Sequence, residues 1–318
     1  MNTEDIKNVV VIGSGIMGAG IVQNFAQAGI NVKVSARRQE SLDNCMILIK
    51  ANINQFNTHG LIDEKPSAIL GRIETVLAEN LDDALKDCDF AMETIPENKE
   101  AKQELLVKLD SLPDNVVIGS NTSSFTINDL TTGMKTPERV VGIHYFNPAH
   151  IIPAVEIHSG DKTNPEAIGL ARDLMKKVGK KPAIVKKAMP GFIINRLTGA
   201  LYKEASYLID QGVTTPEEMD EAVKGSFGFR LACLGPMETE DMIGLDTSAF
   251  VSDRVFGNLS PLTGASDTLK AKVEKGETGI KAGKGWYDYS GKSEVEVKDE
   301  INQRLLIQLA VFNKQNKH

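Results

Sequence analysis

Short apolar runs alternate with amphipathic stretches over the first 187 residues of the chain. Seven runs have the length of buried strands, and they lie at 9–13, 32–36, 89–95, 115–121, 139–145, 154–160 and 182–187. Most of the segments between them carry apolar residues at helical spacing. Strands that alternate with helices predict a largely parallel sheet that is covered on both faces. The last runs are separated by short loops, so we expect an antiparallel edge there.

The interval between the second and third runs has a helical pattern. Residues 41–56 read "SLDNCMILIKANINQF", which is typical of a long helix, and "EKPSAILGRI" at 64–73 extends the pattern. We therefore expect a helical excursion before the third strand.

The pattern changes after residue 188, and strand-like runs nearly vanish from Phe192 onward. Pro190 and Gly191 lead into one helical pattern, since proline suits a helix start. Thr215 followed by Pro216 is a typical start of another. These features predict two domains, a strand–helix domain over 1–188 and a helical domain with a C-terminal tail over 189–318.

A glycine-rich loop follows the first apolar run directly and opens an apolar helix. In "GSGIMG", Gly13 allows a tight turn, Gly15 lets the backbone approach a pyrophosphate, and Gly18 allows close packing of helix and sheet. Ile16 and Met17 begin the helix, whose N-terminus would face the phosphates with free N–H groups. The alternative is a glycine-rich turn without a ligand. The position after a strand favours a dinucleotide site. The fold class is therefore α/β, a Rossmann-type doubly wound and mostly parallel sheet followed by a smaller all-α domain.

The end of the second strand departs from the usual pattern for NAD. An acidic residue is expected there to accept hydrogen bonds from the ribose hydroxyls, but the chain has Ala36, Arg37 and Arg38. Ala36 leaves space for a 2′-phosphate, and the two arginines would supply paired donors to it. The cofactor is therefore NAD or NADP, with NADP slightly favoured. The alternative is that the arginines cap the next helix or lie in solvent.

The composition limits the class of protein, its partners and its cellular compartment. The 318 residues are 41% hydrophobic and 25% charged, which is ordinary for a globular protein. No apolar run approaches the roughly 20 residues that a membrane span needs, and the first eight residues lack the order of a secretory signal. The net charge of −7 argues against nucleic acid as a partner. The three scattered cysteines have no metal spacing and suggest the cytoplasm.

Four further stretches resemble one known family when they are taken together. They are "NTSSFTINDL", "GIHYFNPAHIIPAVEI", "MPGFIINRL" and "GFRLACLGPMETEDMIGLD". In this order and spacing the chain resembles the 3-hydroxyacyl-CoA dehydrogenase family from about Lys7 to Tyr289. The resemblance implies a nicotinamide-dependent oxidoreductase of fatty acid metabolism that interconverts a short-chain 3-hydroxyacyl-CoA, such as 3-hydroxybutyryl-CoA, with its 3-keto form. It also implies a homodimer formed through the helical domain.

The resemblance assigns the catalytic groups. Oxidation of a secondary alcohol needs a base for the hydroxyl proton, and histidine suits this because its unperturbed pKa of roughly 6.5 is near cellular pH. His144 and Glu156 match the catalytic pair of the family, in which the carboxylate orients the imidazole. Ser123 and Asn195 match the two residues that contact the substrate. The alternatives are a structural ion pair at Glu156 and a helix cap at Asn195.

The same matching extends to the cofactor cleft. Ile95, Glu97, Lys102 and Asn147 match positions that line the cofactor, and no residue matches a metal ligand. Two further histidines lie close in sequence. His150, in the turn, faces either the substrate or elsewhere, and His158 is expected at an edge or on the surface.

The sequence leaves open whether the substrate is bound to CoA. Acyl-CoA members carry basic residues in the excursion after the second strand, but here His59 stands where a lysine is expected, with Lys65 and Arg72 nearby. Other segments resemble the L-gulonate and carnitine dehydrogenases and lambda-crystallin. A 3-hydroxyacyl-CoA thioester is therefore the first hypothesis, a 3-hydroxy acid without CoA the second, and a non-enzymatic crystallin-like protein the third.

Overall fold

The computed structural model describes residues 2–316. The chain divides into two compact units, Met1–Ile193 and Ile194–His318. The division lies a few residues after the boundary near residue 188 that the sequence suggests. The end of the predicted C-terminal tail, Lys317 and His318, lies outside the described residues.

The first unit is built on one eight-stranded sheet. Its strands are β1 (Asn8–Ile12), β2 (Asn31–Ala36), β3 (Ile73–Leu77), β4 (Phe90–Glu93), β5 (Val117–Ser120), β6 (Val140–Tyr145), β7 (Ala154–His158) and β8 (Lys181–Val185). They lie in the order β3-β2-β1-β4-β5-β6-β7-β8, and every pair is parallel except β6 with β7. The predicted α/β doubly wound fold is confirmed.

Helices cover both faces of this sheet. They are α1 (Ile16–Gln27), α2 (Gln39–Thr58), α3 (Pro66–Leu70), α4 (Leu81–Ala84), α5 (Lys99–Leu109), α6 (Ile127–Leu130) and α7 (Pro165–Lys177), and short 3₁₀ turns occur at Ala78–Asn80 and Pro137–Arg139. Val9 and Val11 of β1 belong to the buried cluster that includes side chains of α1, α2 and α7, whereas Val10 and Ile12 belong to the one with α4, α5 and α6. Because successive side chains point to opposite faces, a strand buried on both sides needs a continuous apolar run.

The helical interval after β2 contains a strand that the sequence analysis did not predict. Helices α2 and α3 occupy most of the interval, but β3 follows them and pairs in parallel with β2, with Lys33 opposite Glu74. Only Val76 of β3 is fully buried. An edge strand with one buried side chain needs no long apolar run, and this strand was therefore missed.

The turn between β6 and β7 is held by a buried lysine that directly precedes β8. The Lys180 ammonium donates to the carbonyl oxygens of Ala149 and Ile152, at 2.6 and 2.9 Å. Burial lowers the pKa of Lys180 to about 7. The turn also contains a cis peptide bond between Asn147 and Pro148. These contacts fix the course of the chain between two strands that carry candidate site residues.

The second unit is helical. Its helices are α8 (Ile194–Asp210), α9 (Pro216–Gly225), α10 (Phe227–Leu231), α11 (Pro236–Ile243), α12 (Leu245–Val255), α13 (Asp267–Glu274) and α14 (Glu294–Gln315), with 3₁₀ turns at Phe256–Asn258 and Ile280–Ala282. Among its described residues, only Val297 and Leu306 are buried large apolar side chains. No helix within residues 2–316 is both long and apolar enough to cross a membrane.

Candidate active site

The glycine loop after β1 has the shape that a bound pyrophosphate requires. Gly13 has φ of 121°, and a Cβ atom there would overlap the carbonyl of Thr94. A Cβ atom on Gly18 would overlap the carbonyl of Gly13, so helix and loop pack as closely as backbone allows. A Cβ atom on Gly15 would meet nothing within 4 Å. The loop is therefore tight on its inner side and open at Gly15, where the backbone is expected to approach a phosphate.

The N-terminus of α1 leaves its donors available for an anion. Gly15 precedes the helix in an extended conformation, and no side chain caps it. Ile16 is exposed and Met17 is half-buried. The first N–H groups of a helix have no intrahelical acceptor, and the helix dipole favours negative charge there. The loop and helix thus fit the phosphates of a dinucleotide.

The end of β2 lies beside this loop. The Gly13 N–H donates to the carbonyl of Ser35 at 2.9 Å. Ala36 is half-buried, and Arg37 and Arg38 are exposed. Within the part of the chain that the structure describes, neither guanidinium forms a salt bridge, and Arg38 stands at the N-cap of α2 without a side-chain cap. Both cations are therefore free to meet a ligand at the edge of the glycine loop.

Antiparallel pairing of β6 and β7 brings His144 and Glu156 together. The two residues are direct partners in the register, and His144 Nδ1 lies 2.9 Å from Glu156 Oε2. The histidine is 5% exposed and the glutamate 0%. A carboxylate is an acceptor only, so it holds the proton on Nδ1 and leaves Nε2 as the basic nitrogen. The pair has the geometry of a base and its orienting acid.

A second carboxylate organises the loop after β5. Glu97 Oε1 accepts hydrogen bonds from the hydroxyls of Thr122 and Ser124, each at 2.7 Å, and from the N–H of Ser123 at 2.9 Å. Burial raises the pKa of Glu97, but these hydrogen bonds and the Lys102 ammonium outweigh it and lower the pKa to about 2. Glu97 is therefore ionised at neutral pH and holds the loop that presents the exposed Ser123.

Lys102 lies beneath the cleft. It is 0% exposed, and its ammonium lies 2.6 Å from Glu93 Oε1 and 3.3 Å from Glu97 Oε2. It also donates to the carbonyl of Ile95 at 3.2 Å. A side chain without exposed surface does not line a cleft, so we assign Lys102 a place behind Glu97. Ile95, itself half-buried, donates its N–H to Glu93 at 2.7 Å.

The remaining candidates are distributed between the two units. Asn147 is exposed in the turn after β6. Asn195 is exposed in the first turn of α8, inside the second unit, and is not the residue that precedes the helix. His150 is buried, with its ring 5.9 Å from that of Phe56, and burial lowers its pKa to about 4.

The expectation of an edge or surface position for His158 is wrong. It is 1% exposed, because β8 covers β7 and the chain at Phe192 covers the ring, at 4.2 Å between centroids. The expectation rested on the place of His158 after Ile157 in the strand, which does not show that β8 and Phe192 cover it.

Three residues of the site were not singled out from the sequence. Glu93 ends β4 and pairs with Lys102, Thr122 binds Glu97, and Phe192 lies 5.7 Å from the His144 ring. The acid at the end of the apolar run "DFAMETI" was an available signal for Glu93, since a buried charge in a strand is rare unless it is paired.

Comparison with known families agrees with this geometry. The model of the 3-hydroxyacyl-CoA dehydrogenase NAD binding domain matches residues 8–188, and the model of the C-terminal domain of the same enzymes matches residues 191–289. The chain belongs to the 3-hydroxyacyl-CoA dehydrogenase family. It is a nicotinamide-dependent oxidoreductase that acts on CH–OH donors.

Individual members of the family differ in substrate. The chain is 32% identical to 5-formyl-3-hydroxy-2-methylpyridine 4-carboxylate 5-dehydrogenase of Mesorhizobium japonicum, over 95% of this chain and 96% of that one. It is 33% identical to 3-hydroxybutyryl-CoA dehydrogenase of Clostridioides difficile, over 89% and 99%. A crystal structure of the pyridine carboxylate enzyme superposes with a TM-score of 0.88 at 30% identity, covering 98% of this chain and 99% of that one.

Proposed function

We propose that this chain transfers a hydride between a nicotinamide cofactor and the 3-hydroxyl carbon of a small 3-hydroxy acid that is not bound to CoA. The buried His144–Glu156 pair carries the catalytic part of the proposal. Nε2 of His144 takes the hydroxyl proton in oxidation and returns it in reduction. Glu156 stabilises the imidazolium that forms. The bound cofactor supplies the hydride acceptor or donor.

Ser123 and Asn195 are proposed to contact the substrate oxygen. Ser123 is exposed on a loop that Glu97 holds through the Ser123 N–H at 2.9 Å. Donors that are fixed before the reaction stabilise the charge that develops on the oxygen. Asn195, in the first turn of α8, has an exposed amide that can donate in the same way.

The contacts of Arg72, in the helical segment between β2 and β3, favour a substrate without CoA. Arg72 forms two hydrogen bonds with Glu64, at 2.6 and 2.5 Å, and donates to the carbonyl of Ala26 at 3.0 Å. The pair holds the pKa of Glu64 below its ordinary value, chiefly through the hydrogen bond from Arg72. An arginine engaged in this way has little capacity left for the phosphates of CoA. The similarity to a pyridine carboxylate dehydrogenase over nearly the whole chain supports the same choice.

A 3-hydroxyacyl-CoA thioester is the second candidate. Curated 3-hydroxybutyryl-CoA dehydrogenases match the chain at 33–34% identity over about nine-tenths of its length. Lys65 is exposed at the start of α3 and is available to a nucleotide phosphate. For this candidate, Lys65 would have to bind the CoA phosphates in place of the several basic residues that acyl-CoA members carry.

One assay separates the candidates. Nicotinamide absorbance is followed with acetoacetyl-CoA, with free acetoacetate and with a set of free 3-hydroxy acids, at equal concentrations. We expect kcat/KM to be higher for a free acid than for the thioester. Higher kcat/KM for the thioester would establish the second candidate instead. Tight cofactor binding without turnover of any substrate would favour the third, non-enzymatic hypothesis.

We also propose a preference for NADP over NAD. Ala36 adds no negative charge where a 2′-phosphate would lie, and the adjacent Arg37 and Arg38 are exposed. Guanidinium groups bind phosphate through paired hydrogen bonds. The domain model that matches here is named for NAD, so the proposal concerns this chain and not its family.

Ala36→Asp tests the cofactor proposal. The new carboxylate would repel the 2′-phosphate and accept hydrogen bonds from ribose hydroxyls, so the ratio of kcat/KM with NADPH to that with NADH should fall by about tenfold or more. Ala36→Asn has nearly the same shape without the charge and should change the ratio much less. A wild-type enzyme that clearly prefers NADH would contradict the proposal.

The helical unit is proposed to form a homodimer. Large apolar side chains are exposed on most of its helices, including Tyr202 on α8, Phe229 on α10, Met237 on α11 and Phe250 on α12. Contiguous exposed apolar surface is typical of an interface, and this number of exposed apolar side chains on one unit favours one. A second copy of the chain is the occupant that the family resemblance suggests, and sedimentation velocity that showed only a 34.6 kDa species would contradict it.

The cytoplasm is the proposed location. Cys45, Cys88 and Cys233 are all free thiols, which suits a reducing compartment. Fractionation of the native host would test this, and recovery outside the cytoplasm would contradict it.

A further inference from the structure

His158 is a buried imidazole that the proposed reaction does not use. Neither of its ring nitrogens has a hydrogen-bond partner within residues 2–316, although the side chain is almost fully buried. Leaving a buried polar atom without a partner is unfavourable. We therefore asked what this residue contributes. It lies close to the His144–Glu156 pair, because only Ile157 separates it from Glu156 along β7.

The space for this ring is created by a glycine on the neighbouring strand. Gly142 of β6 is the register partner of His158, and a Cβ atom on Gly142 would overlap the imidazole. The ring therefore occupies the space that a side chain at position 142 would fill. Its other side is stacked on Phe192, with ring centroids 4.2 Å apart and an interplanar angle of 28°. Stacked aromatic pairs are favourable beyond the area that they bury.

Phe192 is held in a backbone conformation that a phenylalanine rarely adopts. Its φ is 46°, and among the described residues it is the only non-glycine residue with positive φ. Such conformations persist only where the surroundings enforce them. The stack with His158 is a contact of the Phe192 side chain that opposes the strain, and His144 flanks the same ring at 5.7 Å.

The residue that follows reaches the orienting carboxylate. The Ile193 N–H donates a hydrogen bond to Glu156 Oε1 at 2.8 Å. The other carboxylate oxygen, Oε2, accepts a hydrogen bond from His144 Nδ1 at 2.9 Å. The two carboxylate oxygens therefore connect the catalytic imidazole to the segment after Phe192. The direction of the Ile193 N–H depends on the conformation of Phe192, because the two residues are adjacent.

We propose that His158 is a positioning residue. By stacking on Phe192 it keeps the Ile193 N–H on Glu156 Oε1, and this bond sets the orientation of the carboxylate toward His144. The effect on turnover rests on the proposed function, whereas the effect on the Ile193 hydrogen bond does not.

His158 acts through its shape and not as an acid or base. The titratable groups that face it are His144 and Glu156, and burial, followed by the charge of His144, lowers its pKa to about 4. It is neutral at pH 7, where the reaction is assayed. A neutral ring without hydrogen bonds contributes a flat surface, which another aromatic side chain can replace.

Three variants test the proposal. His158→Ala removes the stack, His158→Phe keeps an aromatic ring in its place, and His150→Ala removes a buried histidine that does not stack on Phe192. Hydrogen exchange of the Ile193 amide is measured by NMR in the full-length protein, together with kcat and KM on the best substrate. In His158→Ala we expect exchange to become faster by about tenfold and kcat to fall by about tenfold with KM nearly unchanged.

The control variants decide the cause. His158→Phe should restore slow exchange and most of kcat, and His150→Ala should leave the exchange of Ile193 unchanged. Unchanged exchange and kcat in His158→Ala would overturn the proposal, and so would a His158→Phe variant that behaves like His158→Ala. If His158→Ala does not fold, Phe192→Leu removes the same stack from the other side and is judged by the same criteria. A wild-type protein without turnover would overturn the proposed function, while the exchange data would still decide the role of His158.

Discussion

His144→Gln is expected to lower kcat by about three orders of magnitude, because it removes the proposed general base for the hydroxyl proton. Glutamine is close to histidine in size and retains a donor toward Glu156 Oε2, which lies 2.9 Å from His144 Nδ1 in the native site. The dissociation constant of the nicotinamide cofactor, measured by fluorescence quenching, should stay unchanged, because the proposed phosphate site is the glycine loop and not His144.

His150→Gln is the matched control for this variant. His150 is also buried and lies six residues after His144, in the turn between β6 and β7, but its ring lies against Phe56. We expect this variant to keep kcat within a few-fold of the wild type. A His144→Gln enzyme with nearly normal kcat would refute the assignment of the base, whatever the result at His150.

Lys102→Met is expected to lower the free energy of unfolding by about 3–5 kcal/mol, because it leaves the buried Glu93 carboxylate without its cation. Lys102 and Glu93 are both 0% exposed, and the remaining partners of Glu93 are the Ser120 hydroxyl and the Ile95 N–H. Urea denaturation followed by circular dichroism measures the loss. The variant should also weaken the hold of Glu97 on the loop of Ser123.

Two comparisons make this measurement specific. Lys108→Met removes an exposed lysine on the same helix, α5, which pairs with Asp82, and it should cost less than about 1 kcal/mol. The double variant Glu93→Leu with Lys102→Met removes both charges and should recover part of the stability. Equal, small losses in Lys102→Met and Lys108→Met would contradict the importance of the buried pair.

Much of the fold was accessible from the amino-acid sequence. The run "VVVIG" followed by glycines predicts a strand, a turn and a helix, and β1, the loop and α1 stand in that order. The spacing between His144 and Glu156 across a short turn agrees with their direct pairing in β6 and β7. Strand β3 escaped prediction because only one of its side chains, that of Val76, is buried.

The local pattern along the chain determined the strands, the main helices and the glycine loop. A strand buried on both faces must be apolar throughout, and a tight turn over a phosphate must use glycine. Both requirements therefore produce a recognisable pattern in consecutive residues. Tertiary structure decided which buried polar groups meet. Glu97 binds the loop of Ser123 because β4 lies beside β5, and His158 stacks on Phe192, a residue far along the chain. Such contacts depend on strand order and on how each buried charge or ring is satisfied, and neither leaves a periodic pattern in the sequence.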